Sequence, residues 1–214
     1  MKYFNPRVSF DGLNWFLTLG IELEDTQIKE LTSQGIGIDL GVKDLAVCSS
    51  GNIYKNINKT SRVRRLKKKL RRLQRKILRK YNKNKKGESY QKTRNIIKSE
   101  KQLLKVSHRL TNIRINYYIH QVTTEIIKRE PSFVVLEDLN VKGMMKNRHL
   151  AKAVQEQKLA EFCRIMQYKC EWNGISFITA DRFYASSKIC SICGHKKDDL
   201  KLSDRVYKCE HCGL

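Results

Sequence analysis

Residues 35–41, Gly35-Ile36-Gly37-Ile38-Asp39-Leu40-Gly41, give the clearest indication of the fold. Its apolar residues alternate with small or polar ones, and this period of two predicts a short β-strand bounded by glycines. Asp39 lies inside that otherwise apolar strand, and no basic residue adjoins it in the sequence. Because a carboxylate in such surroundings needs a cation, we expect Asp39 to bind one. The alternative is that Asp39 caps the turn before Gly41.

Other strands are predicted on both sides of this stretch. Before it, alternating apolar residues flank Asp11-Gly12-Leu13-Asn14 and predict a β-hairpin over residues 7–23. After it, residues 45–48 and 53–54 predict two short strands that are separated by the turn Ser50-Gly51-Asn52. Three consecutive strands therefore begin the sheet.

A second β-region follows Pro131. Residues 133–136 form a continuous apolar run, which is typical of a strand buried on both faces. Residues 154–172 predict a helix, and residues 175–178 predict another short buried strand. The predicted order is three strands, a helical region, and then strand, helix and strand.

Glu137 and Asp138 follow the buried strand at once. If this strand is the parallel neighbour of the strand that carries Asp39, then Asp39 and Glu137 face each other and can hold divalent metal ions. Such ions activate a water molecule and stabilise the leaving oxygen in phosphodiester cleavage. The alternative for Glu137 is a position next to a helix N-cap, with Asp138 as the cap.

Between the two β-regions the apolar period changes to three and four residues. From Ser61 it indicates a first helix, and further on a second helix that Pro131 ends. The polar residues 82–87 separate the two, so we expect a long antiparallel helical hairpin with narrow apolar seams. The seam residues are Val63, Leu66, Leu70, Leu73 and Ile77 in the first helix, and Leu103, Val106, Leu110, Ile113 and Tyr117 in the second.

The first helix of this hairpin is strongly basic, and no acidic residue interrupts it. Like charges repel at nearly every i,i+4 pair, and a bound polyanion would relieve that repulsion. The helix therefore predicts contact with a nucleic-acid backbone, whereas the alternative is a merely solvated face. The basic residues are Arg62, Arg64, Arg65, Lys67, Lys68, Lys69, Arg71, Arg72, Arg75, Lys76, Arg79 and Lys80.

Four cysteines end the chain as two pairs, Cys190-Ser-Ile-Cys193 and Cys209-Glu-His-Cys212. Two cysteines separated by two residues can place both sulfur atoms on one metal ion, so two pairs predict a closed tetrahedral zinc site. The segment between the pairs is too short to bury a core, and we expect Zn²⁺ to stabilise this zinc ribbon. His195 and His211 lie nearby and are alternative ligands.

The overall charge also indicates a polyanionic partner. The chain of 214 residues has 44 Lys+Arg and 21 Asp+Glu, a net charge of +23, while 40% hydrophobic residues suffice for a core. No apolar run approaches the ~18 residues of a membrane span, and the N-terminus has no signal-peptide pattern. We therefore expect a soluble, cytoplasmic protein with reduced cysteines.

Three motifs together resemble the TnpB (OrfB) proteins of bacterial insertion sequences and the related compact type V CRISPR nucleases. They are Gly37-Ile-Asp39-Leu-Gly-Val-Lys, Val135-Leu-Glu137-Asp-Leu-Asn and Asp181-Arg-Phe-Tyr-Ala-Ser-Ser-Lys-Ile-Cys-Ser-Ile-Cys-Gly194. The resemblance implies an α/β fold: an RNase H-like (RuvC) mixed sheet with a long helical-hairpin insertion and a C-terminal zinc ribbon. It divides the chain into a wedge-domain remnant (1–32), RuvC-like parts (33–60 and 131–189), the basic hairpin insertion (61–130) and the ribbon (190–214).

The same resemblance implies RNA-guided cutting of DNA. Asp39 and Glu137 become catalytic carboxylates that bind Mg²⁺ or Mn²⁺, the four cysteines become zinc ligands, and the partners become DNA and a guide RNA. The family's third catalytic Asp, a few residues beyond the last ribbon cysteine, and its recognition domain are not among these residues. We therefore expect a chain truncated at both ends that does not cleave DNA by itself.

Two other functions remain as alternatives. One is a non-catalytic zinc-ribbon protein that binds nucleic acid, and Mg²⁺-dependent cleavage that requires Asp39 would separate it from a nuclease. The other is an actin-like or sugar-kinase-type ATPase, because residues 35–41 also resemble the first phosphate loop of those enzymes. No later segment offers the second Gly-rich loop that such an ATPase needs.

Overall fold

The protein is described here by a computed structural model that covers residues 2–22, 30–182, 184, 188–190, 192–197, 199 and 207–213. Its strands are β1 (Tyr3–Phe10), β2 (Trp15–Ile21), β3 (Ile36–Leu40), β4 (Asp44–Cys48), β5 (Ile53–Lys55), β6 (Lys85–Lys86), β7 (Ser89–Tyr90), β8 (Phe133–Glu137) and β9 (Ser176–Ala180). Its α-helices are α1 (Ser61–Lys83), α2 (Arg94–Asn112), α3 (His120–Ile127), α4 (Val141–Lys146), α5 (Ala151–Gln157) and α6 (Leu159–Trp172). A 3₁₀-helix, Ile57–Lys59, precedes α1, and a π-helix, Ile113–Ile119, joins α2 to α3. Within the described ranges, no helix has the length and apolarity needed to cross a membrane.

A five-stranded mixed sheet has the order β5-β4-β3-β8-β9. The strands β5, β4 and β3 are antiparallel neighbours, whereas β8 and β9 run parallel to β3 and to each other. Parallel neighbours need long crossovers, which the helices α1–α3 and α4–α6 provide. The predicted α/β class and the predicted order of elements are confirmed.

One face of this sheet carries the main hydrophobic core. Ile36, Ile38 and Leu40 of β3 point to that face, where α3 and α6 cover them with Ile126 and Phe162 among other residues. Apolar side chains bury on one face of a strand at every second position, and this alternation explains why the five residues of β3 suffice to place it.

The other face of the sheet is accessible to solvent. Asp39 lies on this face. The prediction that the strands after Pro131 are buried on both faces is wrong. Phe133 is 39% exposed and Ile178 is 45% exposed, because none of the described helices covers this side of β8 and β9. A continuous apolar run therefore did not distinguish a central strand from one that is covered on a single face.

The predicted N-terminal hairpin is confirmed as β1 and β2, which pair antiparallel. Its turn is held by Asp11, whose Oδ1 accepts hydrogen bonds from the backbone N–H groups of Leu13 and Asn14, both at 2.8 Å. The tip rests on the helical hairpin, where the other carboxylate oxygen of Asp11 lies 3.1 Å from Nδ1 of His108.

The predicted helical hairpin is confirmed for α1 and α2. Both helices begin at a threonine cap: Thr60 Oγ1 accepts from the N–H of Val63, and Thr93 Oγ1 accepts from the N–H of Ile96. Near the turn, Lys80 Nζ donates to the carbonyl of Asn95 at 2.8 Å. At the opposite end, Val63 packs against Leu110, so the two helices run antiparallel along their apolar seams.

The second helix of the hairpin is not one continuous α-helix that ends at Pro131. It changes to the π-helix at Ile113, and α3 then leaves the hairpin to pack in the core beneath the sheet. The helical hydrogen bonds end with α3 at Ile127, and Glu130 takes a positive φ of 52° before Pro131. The apolar period continues through all three segments, so periodicity alone did not reveal the change.

The predicted helix over residues 154–172 is two helices. They meet at Lys158, which has a left-handed backbone with φ of 60°. The preceding Gln157 is buried, and its Nε2 donates to the carbonyl of Gly41 at 3.0 Å. The break lets the side chain of Gln157 reach the end of β3 while α6 packs along the sheet. The short helix α4 was not predicted.

A buried polar cluster ties the helical hairpin to the sheet. Asn58 lies at its centre: its Nδ2 donates to the carbonyl of Glu156 at 3.0 Å and to Oε1 of Gln157 at 3.2 Å. Its Oδ1 accepts from Nε of Arg114 at 2.7 Å. Asn58 thus joins the segment before α1, the π-helix and the break between α5 and α6.

We predict that Asn58→Ala lowers the free energy of unfolding by about 2–3 kcal/mol, because it removes the donor to Oε1 of the buried Gln157 and the acceptor for Nε of the half-buried Arg114. Urea denaturation followed by circular dichroism measures the change. The matched control is Asn82→Ala on the exposed surface of α1, which we expect to change stability by less than about 0.5 kcal/mol. Equal stability of the two variants would contradict the role of Asn58.

Candidate metal and nucleic-acid sites

The four C-terminal cysteines form one cluster. Their sulfur atoms all lie within 4.8 Å of one another, and the Sγ atoms of Cys190 and Cys212, like those of Cys193 and Cys209, are 3.5 Å apart. Each short distance joins one residue pair to the other, so the cluster closes a loop between distant parts of the chain. In the described part of the chain, no other group brings three potential metal ligands so close together.

The two Cys-x-x-Cys turns have the same backbone geometry. The N–H of Gly194 donates to the carbonyl of Cys190, and the N–H of Gly213 donates to the carbonyl of Cys209, each at 3.0 Å. The two glycines have φ values of 72° and 76°, in the left-handed region where a side chain would strain the backbone. Each turn therefore presents both of its cysteine sulfurs on one side.

This arrangement fits a zinc ion. A tetrahedral site with Zn–S bonds of about 2.3 Å has sulfur atoms about 3.8 Å apart, close to the distances found here. The backbone N–H groups of Cys212 and His211 lower the pKa of Cys209 to about 6, which favours the thiolate that binds metal. The imidazole rings of His195 and His211 stack on each other at 5.8 Å, and neither belongs to the cluster.

Asp39 and Glu137 occupy neighbouring positions on two parallel strands. The pairing of β3 with β8 matches Ile38 with Leu136, so the next residue of each strand, Asp39 and Glu137, lies side by side on the open face. Neither carboxylate has a hydrogen bond or ion pair with any residue that the structure describes. The condition set by the sequence, two parallel adjacent strands, is met.

The local electrostatics disfavours two negative charges at this pair. Partial burial raises the pKa of Asp39, and partial burial together with the charge of Asp39 raises the pKa of Glu137. Both shifts mean that the neighbouring strands and the mutual repulsion disfavour two negative charges here. A divalent cation between the two carboxylates would reverse both effects.

Two further residues lie at the same edge of the sheet. Asp181 directly follows β9, whose last residue, Ala180, pairs with Glu137. Asp138 does not cap a helix: Asn140 caps α4, and Asp138 instead receives a 2.5 Å hydrogen bond from Arg182. Sequence reasoning missed Arg182, because an ion pair between two loops leaves no periodic signal.

The basic residues of α1 cover most of the helix surface that faces away from α2. Five of them form a continuous row at steps of three and four residues: Arg65, Lys68, Arg72, Arg75 and Arg79. At 1.5 Å per residue, this row is about 21 Å long, the length of several phosphate spacings. Each of the five is exposed, and none has an ion-pair partner in the described part of the chain.

Two of the predicted nucleic-acid-binding residues are engaged inside the protein. Lys67 forms a salt bridge with Glu156 at 2.5 Å, and Lys80 Nζ donates to Ser99 Oγ at 2.8 Å. The first contact joins α1 to α5, and the second joins α1 to α2. The remaining ten residues of the predicted set are exposed.

Sequence analysis missed a second basic row, on α2. Its members recur at helical steps and are exposed, but acidic, amide and hydroxyl residues between them hid the pattern from a count of charge runs. A search at three- and four-residue spacing would have found the row. Its residues are Arg94, Lys98, Lys101, Lys105 and Arg109.

Comparison with known protein families covers most of the chain. Residues 18–148 match the family OrfB_IS605, which is described as "Probable transposase". Residues 160–214, which include the cysteine cluster, match the family described as "Cas12f1-like, TNB domain".

Two curated proteins are similar to nearly the whole chain. A "Putative RNA-guided DNA endonuclease" of Streptomyces pristinaespiralis is 32% identical over 199 residues, which are 93% of this chain and 46% of that protein. The "Putative RNA-guided DNA endonuclease InsQ" of Escherichia coli (strain K12) is 28% identical over 221 residues, 96% of this chain and 51% of that protein. The chain thus spans about half the length of the curated relatives it matches.

Solved structures share the fold. The cryo-EM structure of a Cas12f1–sgRNA–target DNA complex matches with a TM-score of 0.59 and 22% identity, over 92% of this chain and 40% of that chain. A CRISPR-Cas12f ternary complex matches with a TM-score of 0.55 and 23% identity, over 94% of this chain and 39% of that chain. The described sheet and helices therefore have the mixed α/β architecture of part of Cas12f1.

We predict that the purified chain contains about one zinc ion, because the four sulfur atoms fit one tetrahedral site. The double substitution Cys190→Ser with Cys209→Ser should reduce the zinc content to near zero in elemental analysis. Cys163→Ser, a thiol in α6 outside the cluster, is the control and should leave it unchanged. Zinc that persists in the double variant would rule out this site.

We also predict that the row on α1 contributes to nucleic-acid affinity mainly through phosphate neutralisation. Replacing Lys68, Arg72 and Arg75 with Gln should reduce the slope of log affinity against log salt by about two to three units. The substitutions relieve repulsion within α1, so the fold should not lose stability. Fluorescence anisotropy with a labelled duplex at several salt concentrations measures the slope.

The control for that experiment removes three exposed lysines outside the helical hairpin, Lys43, Lys128 and Lys152. We expect this variant to change the slope by less than about one unit. If both triple variants behave alike, binding follows net charge rather than the row on α1.

Proposed function

Because the chain belongs to the OrfB_IS605 family of transposases, we propose that it supplies the catalytic sheet of a divalent-metal-dependent DNA endonuclease. That membership confirms the resemblance to TnpB (OrfB) proteins. The observation that carries the proposal is the pair Asp39 and Glu137, adjacent on β3 and β8 and without a cationic partner among the described residues.

The sheet is proposed to be an RNase H-like core of the RuvC type. Three antiparallel strands followed by two parallel ones, with helices on one face, support this assignment. The proposed RuvC-like parts are residues 33–60 and 131–189, with the hairpin insertion at 61–130, the ribbon at 190–214 and a wedge-type hairpin within 1–32. The helix α3 lies inside the insertion by sequence but contributes to the core of the sheet.

Asp39 and Glu137 are the residues proposed to hold Mg²⁺ or Mn²⁺. When bound, the metal would supply Lewis-acid stabilisation of the charge that develops on a phosphate oxygen. The two carboxylates would position the ion at the open face, where a nucleic-acid strand can approach without moving a helix. Asp181, at the same edge of the sheet, is a candidate third carboxylate for this site.

The proposed partners are DNA and a guide RNA. The curated relatives are named as RNA-guided DNA endonucleases, and one structural neighbour is a complex with sgRNA and target DNA. The exposed row on α1 and the net charge of +23 support an extended contact with a phosphate backbone. The zinc cluster is proposed to be structural, since four thiolates leave no position for substrate.

The alternative functions are less well supported. A non-catalytic binding protein needs no pair of unpartnered carboxylates on its central strands. In an actin-like or sugar-kinase ATPase, the turn after β3 would bind phosphates together with a second Gly-rich loop. No later segment of this sequence provides such a loop, and a net charge of +23 has no role in those enzymes. The carboxylate pair therefore favours the nuclease.

We predict that Mn²⁺ binds to the full 214-residue chain at Asp39 and Glu137, and electron paramagnetic resonance of free Mn²⁺ measures this binding. Asp39→Asn or Glu137→Gln should weaken it on the order of tenfold, because affinity for hard cations follows the number of carboxylates. The control is Asp44→Asn, a carboxylate of β4 that already pairs with Lys55. Equal binding by all four proteins would contradict the proposed site.

The same variants test cleavage. With two carboxylates in the site, we expect the 214 residues alone to cleave DNA at no appreciable rate with Mg²⁺ or Mn²⁺. Metal-dependent cutting that is lost in Asp39→Ala would contradict this expectation and would point to Asp181 or a bound partner as the source of the missing ligand.

A further inference from the structure

A groove lies at the base of the helical hairpin, away from the carboxylate pair and the cysteine cluster. It has a volume of about 1050 Å³ and lies between the tip of the β1–β2 hairpin, the start of α1, the end of α2 and the π-helix. This volume is slightly above the ~300–1,000 Å³ range of small-molecule sites. Its apolar floor is formed by Val63 and Ile113, which are buried in the seam of the hairpin.

The walls of the groove are basic. Arg62, Lys105 and Arg109 line it and are exposed, and none of their side chains has an ion pair or hydrogen bond with a described residue. None of the described residues that line the groove is acidic. Asp11 lies behind the wall and is engaged with His108. The groove thus offers an anionic ligand three cations that no described residue neutralises.

An aromatic side chain stands at the side of this groove. Tyr117 is 65% exposed, although large aromatic residues usually bury most of their surface. It belongs to the π-helix, a rare conformation that occurs frequently at functional sites. The wider turn of the π-helix changes the direction of the chain between α2, which packs on α1, and α3, which packs on the sheet. Tyr117 lies in this turn and faces the groove.

Two amides complete the lining. Asn116 Nδ2 donates to Asn112 Oδ1 at 3.0 Å, one turn earlier along the helix. The amide donor of Asn112 and the carbonyl oxygen of Asn116 remain without a partner among the described residues. A donor and an acceptor side by side beside an aromatic ring suit the hydrogen-bonding edge of a nucleobase.

We propose that this groove binds an unpaired nucleotide within a single-stranded nucleic acid, with its base stacked on Tyr117. Arg62, Lys105 and Arg109 bind the adjoining phosphates, and Asn112 and Asn116 contact the edge of the base. Exposed aromatic rings combined with a basic groove are the general means of holding single strands without sequence preference. The inference rests on the proposed nucleic-acid function and adds to it a binding site for one unpaired base.

A strand fits the groove better than a free nucleotide does. The groove opens at Arg62, and the exposed basic row of α1 begins one helical turn further on, at Arg65. Phosphates on either side of the stacked base would therefore continue along α1. A duplex fits less well, because its bases are already stacked on their neighbours and cannot reach Tyr117.

The test uses the zinc-loaded full chain and a ten-nucleotide single strand that contains one 2-aminopurine, whose fluorescence falls when it stacks. We expect quenching on binding, and Tyr117→Ala should remove the quenching and weaken single-strand affinity about tenfold, the effect of losing one base–aromatic stack. Tyr117→Phe should restore both. Because Tyr117→Ala removes no charge, the dependence of affinity on salt should stay the same.

Two controls separate this site from the basic row. Tyr90→Ala removes another exposed tyrosine, at the opposite end of the helical hairpin, and should change neither quenching nor affinity. Arg62→Gln with Arg109→Gln should reduce the salt slope for single strands by about one to two units. Duplex affinity should be unaffected by Tyr117→Ala, and ATP should compete only weakly with the oligonucleotide.

The possible outcomes are distinct. Equal loss of single-strand and duplex affinity in Tyr117→Ala would overturn the proposal in favour of a phosphate-only surface. Effective competition by ATP would overturn it in favour of a nucleotide pocket. If Tyr117→Ala has no effect while the α1 variants still lose affinity, the groove proposal fails and the proposed function stands. If no variant changes binding, the nucleic-acid role of the hairpin fails as well.

Discussion

The parallel pairing of β3 with β8 positions both the carboxylate pair and the helical hairpin. These strands are separated by more than ninety residues in the sequence, and their register places Asp39 beside Glu137. A parallel pair needs a crossover, and here the crossover includes the whole basic hairpin. The same register that forms the carboxylate pair therefore fixes where α1 and α2 leave the sheet and where α3 returns to it.

The crossover is held to the sheet by few polar residues. Asn58, Gln157 and Arg114 connect the base of the hairpin, the end of β3 and the break at Lys158. Buried polar clusters are stabilising only when each member has its partners, so this cluster specifies one orientation of the hairpin rather than adding much net stability. The groove with Tyr117 lies directly beside it, at the point where the π-helix turns the chain from α2 into α3.

The parts of this fold that could be predicted are those set by local pattern. Each of these patterns can be recognised within one short segment of the sequence. They are the period of two around Asp39, the apolar seams of α1 and α2, and the Cys-x-x-Cys spacing at Cys190 and Cys209. The features that could not be predicted depend on tertiary contacts. Lys158 breaks a helix because Gln157 is satisfied by Gly41, more than a hundred residues away.

The placement of the candidate site residues was predicted to a similar extent, whereas their roles stay predictions. Asp39 and Glu137 were singled out because an acid within or after an apolar strand is unusual, and the basic row on α1 because its charge is uninterrupted. Tyr117 was assigned to the apolar seam, since its spacing continues that of Leu110 and Ile113. The π-helix shifts the phase of the helix after Ile113, so the same spacing no longer gives the same face. No signal in the pattern of apolar residues marks that shift.

In a chain with so many basic residues, a pair of carboxylates without a basic partner among the described residues is unexpected. Basic residues outnumber acidic ones by 44 to 21, so a carboxylate that needs only a neutralising partner readily finds one. The strands of the five-stranded sheet contain three carboxylates, and Asp44 does pair with Lys55. Asp39 and Glu137 do not pair with any described cation, even though each disfavours the charge of the other. An arginine or lysine at this position would stabilise the sheet but would compete with a metal ion for the same oxygens. The repulsion retained between Asp39 and Glu137 is therefore the physical property on which the proposal of a divalent cation at the open face of the sheet rests.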